Sequence, residues 1–285
     1  EKVHEKKQEV KRIIILSIVA LCLWPVDSFA GLVNVSYEGE NLSAKNLSKI
    51  DMRLNYMSDF YSGFEVKETI DVTLKVFKTQ DEGYAYMRGL YPNSTQYRKT
   101  TSSSYFGFGV AGVYMPATKT AAILGIEKGI DAGLKVIYHE LSHHFTRLVF
   151  GRRNPPIWFN EGLAEYFEHL VYSKKKGWIS EFPELDKGKL RTMIMLDELN
   201  VRNLLDMSHM EFMSRHRHEG QTYYSFSYAV VSVLLSELSD DAFRDFVGRM
   251  VTRPTDVKTS DILAAVFPGG FTAFESSIQK FIMNQ

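Results

Sequence analysis

IDAGLKVIYHELSHHFTRLV, residues 130–149, followed beyond Gly151 and Pro155-Pro156 by WFNEGLAEYF, residues 158–167, decides the fold. Ile130, Leu134, Ile137, Leu141 and Phe145 recur every three or four residues, which predicts one apolar face of a helix over 130–149. Gly151 supplies the stop and Asn154-Pro155-Pro156 a loop. A second helix then starts near Trp158 and is expected to run to about Tyr172. Two helices joined by so short a loop must turn back on one another, so their inner faces meet.

Those faces carry an unusual set of polar residues. In His139-Glu140-Leu141-Ser142-His143 the two histidines are four apart, hence on one side of the helix, where both imidazoles reach one point. This His-Glu-x-x-His spacing suits a metal ion, with Glu140 turned toward a water beside the ion, where it can act as general base. Two imidazoles and a water leave one protein ligand short. Glu161, 18 residues beyond His143 on the second helix, is the candidate donor. Glu165 lies one turn further and can accept the other ring N–H of a ligand histidine.

Outward from this pair the pattern changes. Leu47, Ile50, Leu54, Met57 and Tyr61 mark an amphipathic helix within 42–64, and Ile70, Val72, Leu74 and Val76 alternate as a half-buried strand within 65–79. Asp81 is expected to cap a short helix through Leu90, and 92–104 reads as loop. Residues 105–126 suit two short strands with a turn at 117–120. Beyond the central helices, 173–220 is more polar, with one short helix at 189–196. Residues 223–238 lack Gly and Pro and read as a buried helix, and 240–251 and 271–282 as amphipathic ones. The expected class is α+β: a small N-terminal α/β part with a mixed sheet, residues 31–127, packed on a mostly helical part, residues 128–285, that carries the metal-site helix.

The first thirty residues stand apart. Lys6, Lys7, Lys11 and Arg12 precede an apolar run over 13–26, and Ser28-Phe29-Ala30 offers a small-x-small cleavage pattern. The run is shorter than the roughly 20 residues of a membrane span. Residues 1–30 therefore read as a signal peptide, and the remainder as exported to a bacterial periplasm or exterior; a membrane anchor is the alternative if 13–26 stays uncleaved. The one cysteine, Cys22, lies in this run, so the rest of the chain uses neither disulfides nor thiolate ligands. The 34 Lys and Arg balance 34 Asp and Glu, and no basic surplus points to nucleic acid.

The two motifs together resemble the gluzincin metallopeptidases, the thermolysin and zinc-aminopeptidase superfamily. Trp158-Phe159-Asn160-Glu161-Gly162-Leu163-Ala164-Glu165-Tyr166-Phe167 is most similar to its small bacterial peptidase MA-like branch. The resemblance implies a zincin-like fold, Zn²⁺ held by His139, His143 and Glu161, Glu140 as base, and Asn160 and Glu165 as supports of the ligand histidines. Tyr224-Ser225-Phe226-Ser227-Tyr228 is similar to the segment of zinc aminopeptidases that opens with a catalytic tyrosine, which implies Tyr224, with Tyr223 next, as donor to the oxyanion. Ser227 stands where that segment has glycine and Phe226 where it has lysine. The aminopeptidase sequence that anchors a free amino terminus is missing; Gly112-Val113-Tyr114-Met115-Pro116 stands in its place, a strand that can pair with an extended peptide but holds no acid for an α-amine. The expected activity is thus an endopeptidase acting on peptide or protein substrates, and the alternative an exported zinc-stabilised binding or scaffold protein of the same fold. His144 points about 100° from His143. His169, His209, His216 and His218 are weaker candidates for the site.

Overall fold

In the computed structural model the described residues are 33–64, 70–94, 110–182, 187–219 and 222–285. The expected signal segment, Cys22, most of the 92–104 loop and the side chains of His216 and His218 lie outside them.

The N-terminal part alternates strand and helix: β1 (Val33–Gly39), α1 (Ala44–Ser62), β2 (Ile70–Val76), α2 (Gln80–Leu90), β3 (Gly112–Met115) and β4 (Thr120–Ile123). The sheet order is β1-β2-β4-β3, with β1, β2 and β4 parallel and β3 antiparallel at the edge. Parallel neighbours need a crossover, and α1 supplies the one between β1 and β2. The β3–β4 turn passes through a short 3₁₀ segment, Pro116–Thr118, and closes with Lys119 in the left-handed region at φ 49°. β1 has no counterpart among the expected strands: its alternation, Val33, Val35 and Tyr37, is short and interleaved with polar residues. The cap of α2 is Thr79, which forms a reciprocal capping box with Glu82, rather than the expected Asp81.

The helical part follows: α3 (Ile130–Phe150), α4 (Ile157–Glu168), the hairpin β5 (Leu170–Ser173) and β6 (Gly177–Ser180), then α5 (Lys187–Met195), α6 (Val201–Asp206), α7 (His209–Glu219), α8 (Thr222–Glu237), α9 (Asp240–Thr252), α10 (Thr259–Val266) and α11 (Gly270–Met283). The second helix of the central pair therefore ends four residues before the expected Tyr172. A buried side chain closes this end: the Arg53 guanidinium donates to the carbonyl of Phe167 in the last turn and to that of Leu170 just beyond the helix, and sits over the rings of Tyr138 (4.2 Å) and Trp178 (4.9 Å). A cation there complements the negative end of the helix dipole. Leu170–Ser173 then pairs with Gly177–Ser180, and Gly177 takes φ 72° in the turn. Among the described residues no helix is long and apolar enough to cross a membrane.

The core lies where α3 is clamped between the sheet and α1 on one side and α4 on the other. Leu134, Ile137, Leu141 and Phe145 of α3, the residues whose spacing marked the helix, are buried against Ile50, Leu54, Met57 and Tyr61 of α1 and Phe159, Leu163 and Phe167 of α4. α8 closes the far side of α4. Contact there is close because Gly162 has no side chain: a methyl on it would lie 2.5 Å from the Ser227 carbonyl oxygen and 2.7 Å from Val231 Cγ2. The nearest atom is backbone, so the helices would have to separate. Gly162→Ala is expected to destabilise the fold by about 1–3 kcal/mol, the usual cost of overpacking, read as a lowered urea midpoint.

Candidate metal centre

The two central helices build the site. α3 stops at Gly151, whose φ of 58° suits a residue without Cβ. Arg147 then staples the connecting loop by donating to the Arg153 carbonyl (2.9 Å) and Asn154 Oδ1 (3.0 Å). Pro155-Pro156 redirects the chain into α4, which returns across α3. The crossing sets His139 Nε2 3.3 Å and His143 Nε2 3.6 Å from the same Glu161 oxygen, Oε2. One donor atom from each of His139, His143 and Glu161 lies within 4.8 Å of the others. Tetrahedral ligands at about 2.0–2.1 Å from a zinc ion stand about 3.3 Å from one another, so the two distances to Glu161 match ligand-to-ligand edges. The cluster is suited to a divalent cation. It is nearly enclosed, with 13% of each histidine side chain and 9% of the Glu161 side chain exposed.

The protonation pattern is what such a site holds before an ion enters. Burial alone would lower His139, but hydrogen bonds to Glu161 and Glu168 outweigh it and raise its pKa well above the ordinary range. His143 is pushed down to about 4, first by burial, then by the charge on His139, against the pull of Glu161. Glu161 is held below its usual range despite burial, because His143 and His139 face it. One proton on His139 thus occupies the place of positive charge, and an ion must expel it on binding.

Around the triad, His139 Nδ1 lies 3.1 Å from Glu168 Oε2 and 3.7 Å from Glu165 Oε1. The hydrogen bond that orients this imidazole is therefore made by Glu168, one turn beyond the residue singled out from sequence. Glu165 instead sits between His139 and His169, 3.6 Å from His169 Nδ1. Glu168 follows Glu161 by seven residues, two turns, and that spacing is the signal that could have found it. Asn160 Nδ2 is 3.4 Å from Glu161 Oε1, at the long limit of a hydrogen bond. An outer partner of a ligand histidine usually contributes 10–100-fold in metal affinity. Glu168→Ala should weaken zinc binding by about that much, measured by competition with a chromogenic chelator, and unchanged affinity would remove Glu168 from the site.

Glu140 is buried beside the triad. Burial pushes its carboxyl up to about 7, with the charge of Glu161 adding to the rise and His139 and the Tyr114 main-chain N–H opposing it. Tyr224 stacks on His139, ring centroids 6.3 Å apart, and also packs against Phe212 at 5.5 Å. Burial raises its phenol well above its ordinary pKa, and Glu161, Glu165 and Glu140 reinforce this, so it stays a donor. Tyr223 packs at 6.0 Å from Phe212 in the core. His144 is buried against β3, its Nδ1 2.7 Å from the Tyr114 hydroxyl. His209 is exposed at the start of α7.

No family model matches the chain, and no curated protein matches it either. The zincin-like character of the site thus rests on His139, His143 and Glu161, carried on two packed helices beside a mixed sheet.

Proposed function

We propose that the protein is a zinc-dependent endopeptidase of the gluzincin type, closest to the peptidase MA-like branch, exported from the cytoplasm with residues 1–30 as its signal. The observation that carries this reading is Glu140: a buried carboxylate next to His139 in the chain, close enough to the His, His, Glu donor set to feel the charges of His139 and Glu161. A purely structural metal site closes its coordination with protein ligands and has no use for a base. Two imidazoles and one carboxylate are the donor set of hydrolytic zinc, which when bound supplies Lewis acidity for the substrate carbonyl and acidifies a water.

The remaining work belongs to the chain. Glu140 accepts the proton of the attacking water as its oxygen bonds to the peptide carbon. The electron pair of the carbonyl moves to its oxygen, toward which the Tyr224 phenol donates. Collapse of the tetrahedral adduct breaks the C–N bond, and Glu140 returns its proton to the leaving amine. Glu168 keeps the His139 ring in one tautomer throughout. An extended peptide fits beside β3, the edge strand at Gly112–Met115, by main-chain bonds. That strand carries no acid to bind an α-amine, which favours internal cleavage.

The test is a peptide library incubated with protein stripped by chelator and then reloaded with zinc. Cleavage within peptides that disappears on stripping and returns with zinc is expected. Zinc-bound protein that cleaves nothing would instead support the scaffold reading, and mass spectrometry of the native N-terminus distinguishes a removed signal from a retained anchor.

A further inference from the structure

β3 does more at this site than offer an edge. Gly112 and Tyr114 are two apart on one strand, and Val136, Glu140 and His144 recur every four residues on α3, so each set shares a face. The two faces meet. A methyl on Gly112 would lie 2.6 Å from Val136 Cγ1 and 2.7 Å from both Cγ and Oε1 of Glu140, so Glu140 lies in the space that the missing side chain leaves. The Tyr114 main-chain N–H faces the Glu140 carboxylate and opposes the rise of its pKa. That N–H is available because the ladder uses the alternate residues: Leu124 N–H bonds the Ala111 carbonyl at 2.8 Å, and Ala111 is opposite Leu124 when the β3–β4 register is extended by one. By antiparallel alternation Val113 then also faces β4, while Gly112 and Tyr114 turn their polar groups to the other edge. The Tyr114 hydroxyl, 2.7 Å from His144 Nδ1, ties the strand to α3 one turn beyond Glu140.

We infer that Gly112 and Tyr114 are positioning residues that act through Glu140, the glycine by leaving room for its carboxylate and the tyrosine by holding it with a main-chain N–H whose strand is fastened to His144. What Glu140 does once held rests on the peptidase reading; where it is held does not.

Gly112→Ala separates the two. The atoms nearest the new methyl are a Val136 methyl and the Cγ and Oε1 of Glu140, all of them side-chain atoms, so Glu140 can turn aside while the backbone of the fold stays. Crystal structures of the zinc-loaded wild type and of Gly112→Ala should differ in the place of the Glu140 carboxylate, with His139, His143 and Glu161 unmoved. A carboxylate in the same place in both overturns the inference, whether or not any peptide is cleaved. In kinetics, misplacing a reacting group by about 1 Å costs on the order of 10²-fold. Gly112→Ala should lose about that much in kcat, with zinc affinity and KM retained, and should add little to Glu140→Ala, whose side chain ends at Cβ and has already left the contact. Losses that multiply in the double variant would mean that Gly112 acts elsewhere, and also overturn it. Tyr114→Phe keeps the strand and the N–H but frees it from His144; a smaller shift of Glu140 and a smaller loss of kcat are expected. Should Gly112→Ala fail to fold, an unmoved Glu140 in Tyr114→Phe overturns the inference by itself. Absence of turnover in the wild type would instead count against the peptidase reading.

Discussion

Glu140→Gln is expected to lower kcat/KM by about 10³-fold or more while the protein keeps its zinc. The amide has the size of the carboxylate it replaces, so the space beside Gly112 stays filled and the fold is not disturbed. It cannot accept a proton, and general-base assistance is worth roughly 10²–10⁴-fold. The three donors of the triad, His139, His143 and Glu161, are untouched by the change. A loss of rate with metal content preserved distinguishes a base from a ligand, and retained turnover would remove Glu140 from the mechanism. The pH profile carries a further sign. In the metal-free protein burial lifts the Glu140 carboxyl to about 7. A dication nearby favours the ionised form, so the acid limb of the wild-type rate profile should lie below 7.

Glu161→Ala should act on the metal first. It removes the one oxygen that stands 3.3 and 3.6 Å from the two histidines. The loss of zinc affinity should exceed the roughly 10–100-fold typical of an outer partner, and turnover should fall with it. Proton competition changes as well. Glu161 is one of the partners that raise His139, so in the wild type zinc competes with a proton that persists through neutral pH, and affinity falls as pH drops. Without Glu161 that support is weaker, and the competition should shift to lower pH. Equilibrium dialysis across a pH series reads both effects. Wild-type affinity in the variant would mean that the ion, if bound, is held elsewhere.

Much of this site was legible because a helix has one period. His139 and His143 four apart, and Glu161 on a second helix folded back by Gly151 and Pro155-Pro156, can be laid on one another from spacing alone. The same period carried the core residues of α1 and α3, whereas α8 stands out as an apolar run free of Gly and Pro. What escaped was set by contacts remote in sequence. The end of α4 depends on Arg53, more than a hundred residues earlier, so Leu170, Val171 and Tyr172 look helical until the guanidinium and the hairpin partner are seen. α6 and α10, of six and eight residues, are too short for a period to stand out. Glu165 and Glu168 both lie near the inner face of α4, and only the angle at which α3 crosses decides which oxygen reaches His139 Nδ1. The role of Gly112 rests on an absence of side chain, which gains meaning only when α3 lies against β3.

The central claim is that His139, His143 and Glu161 hold one zinc ion with a position left for water. X-ray absorption at the zinc edge, on full-length protein loaded with one equivalent, tests it most directly. The expected first shell is two imidazole nitrogens and two oxygens, one from Glu161 and one from water, all at about 2.0–2.2 Å, with one imidazole lost in His143→Ala. A spectrum without imidazole scattering, or one unchanged by His143→Ala, would contradict it.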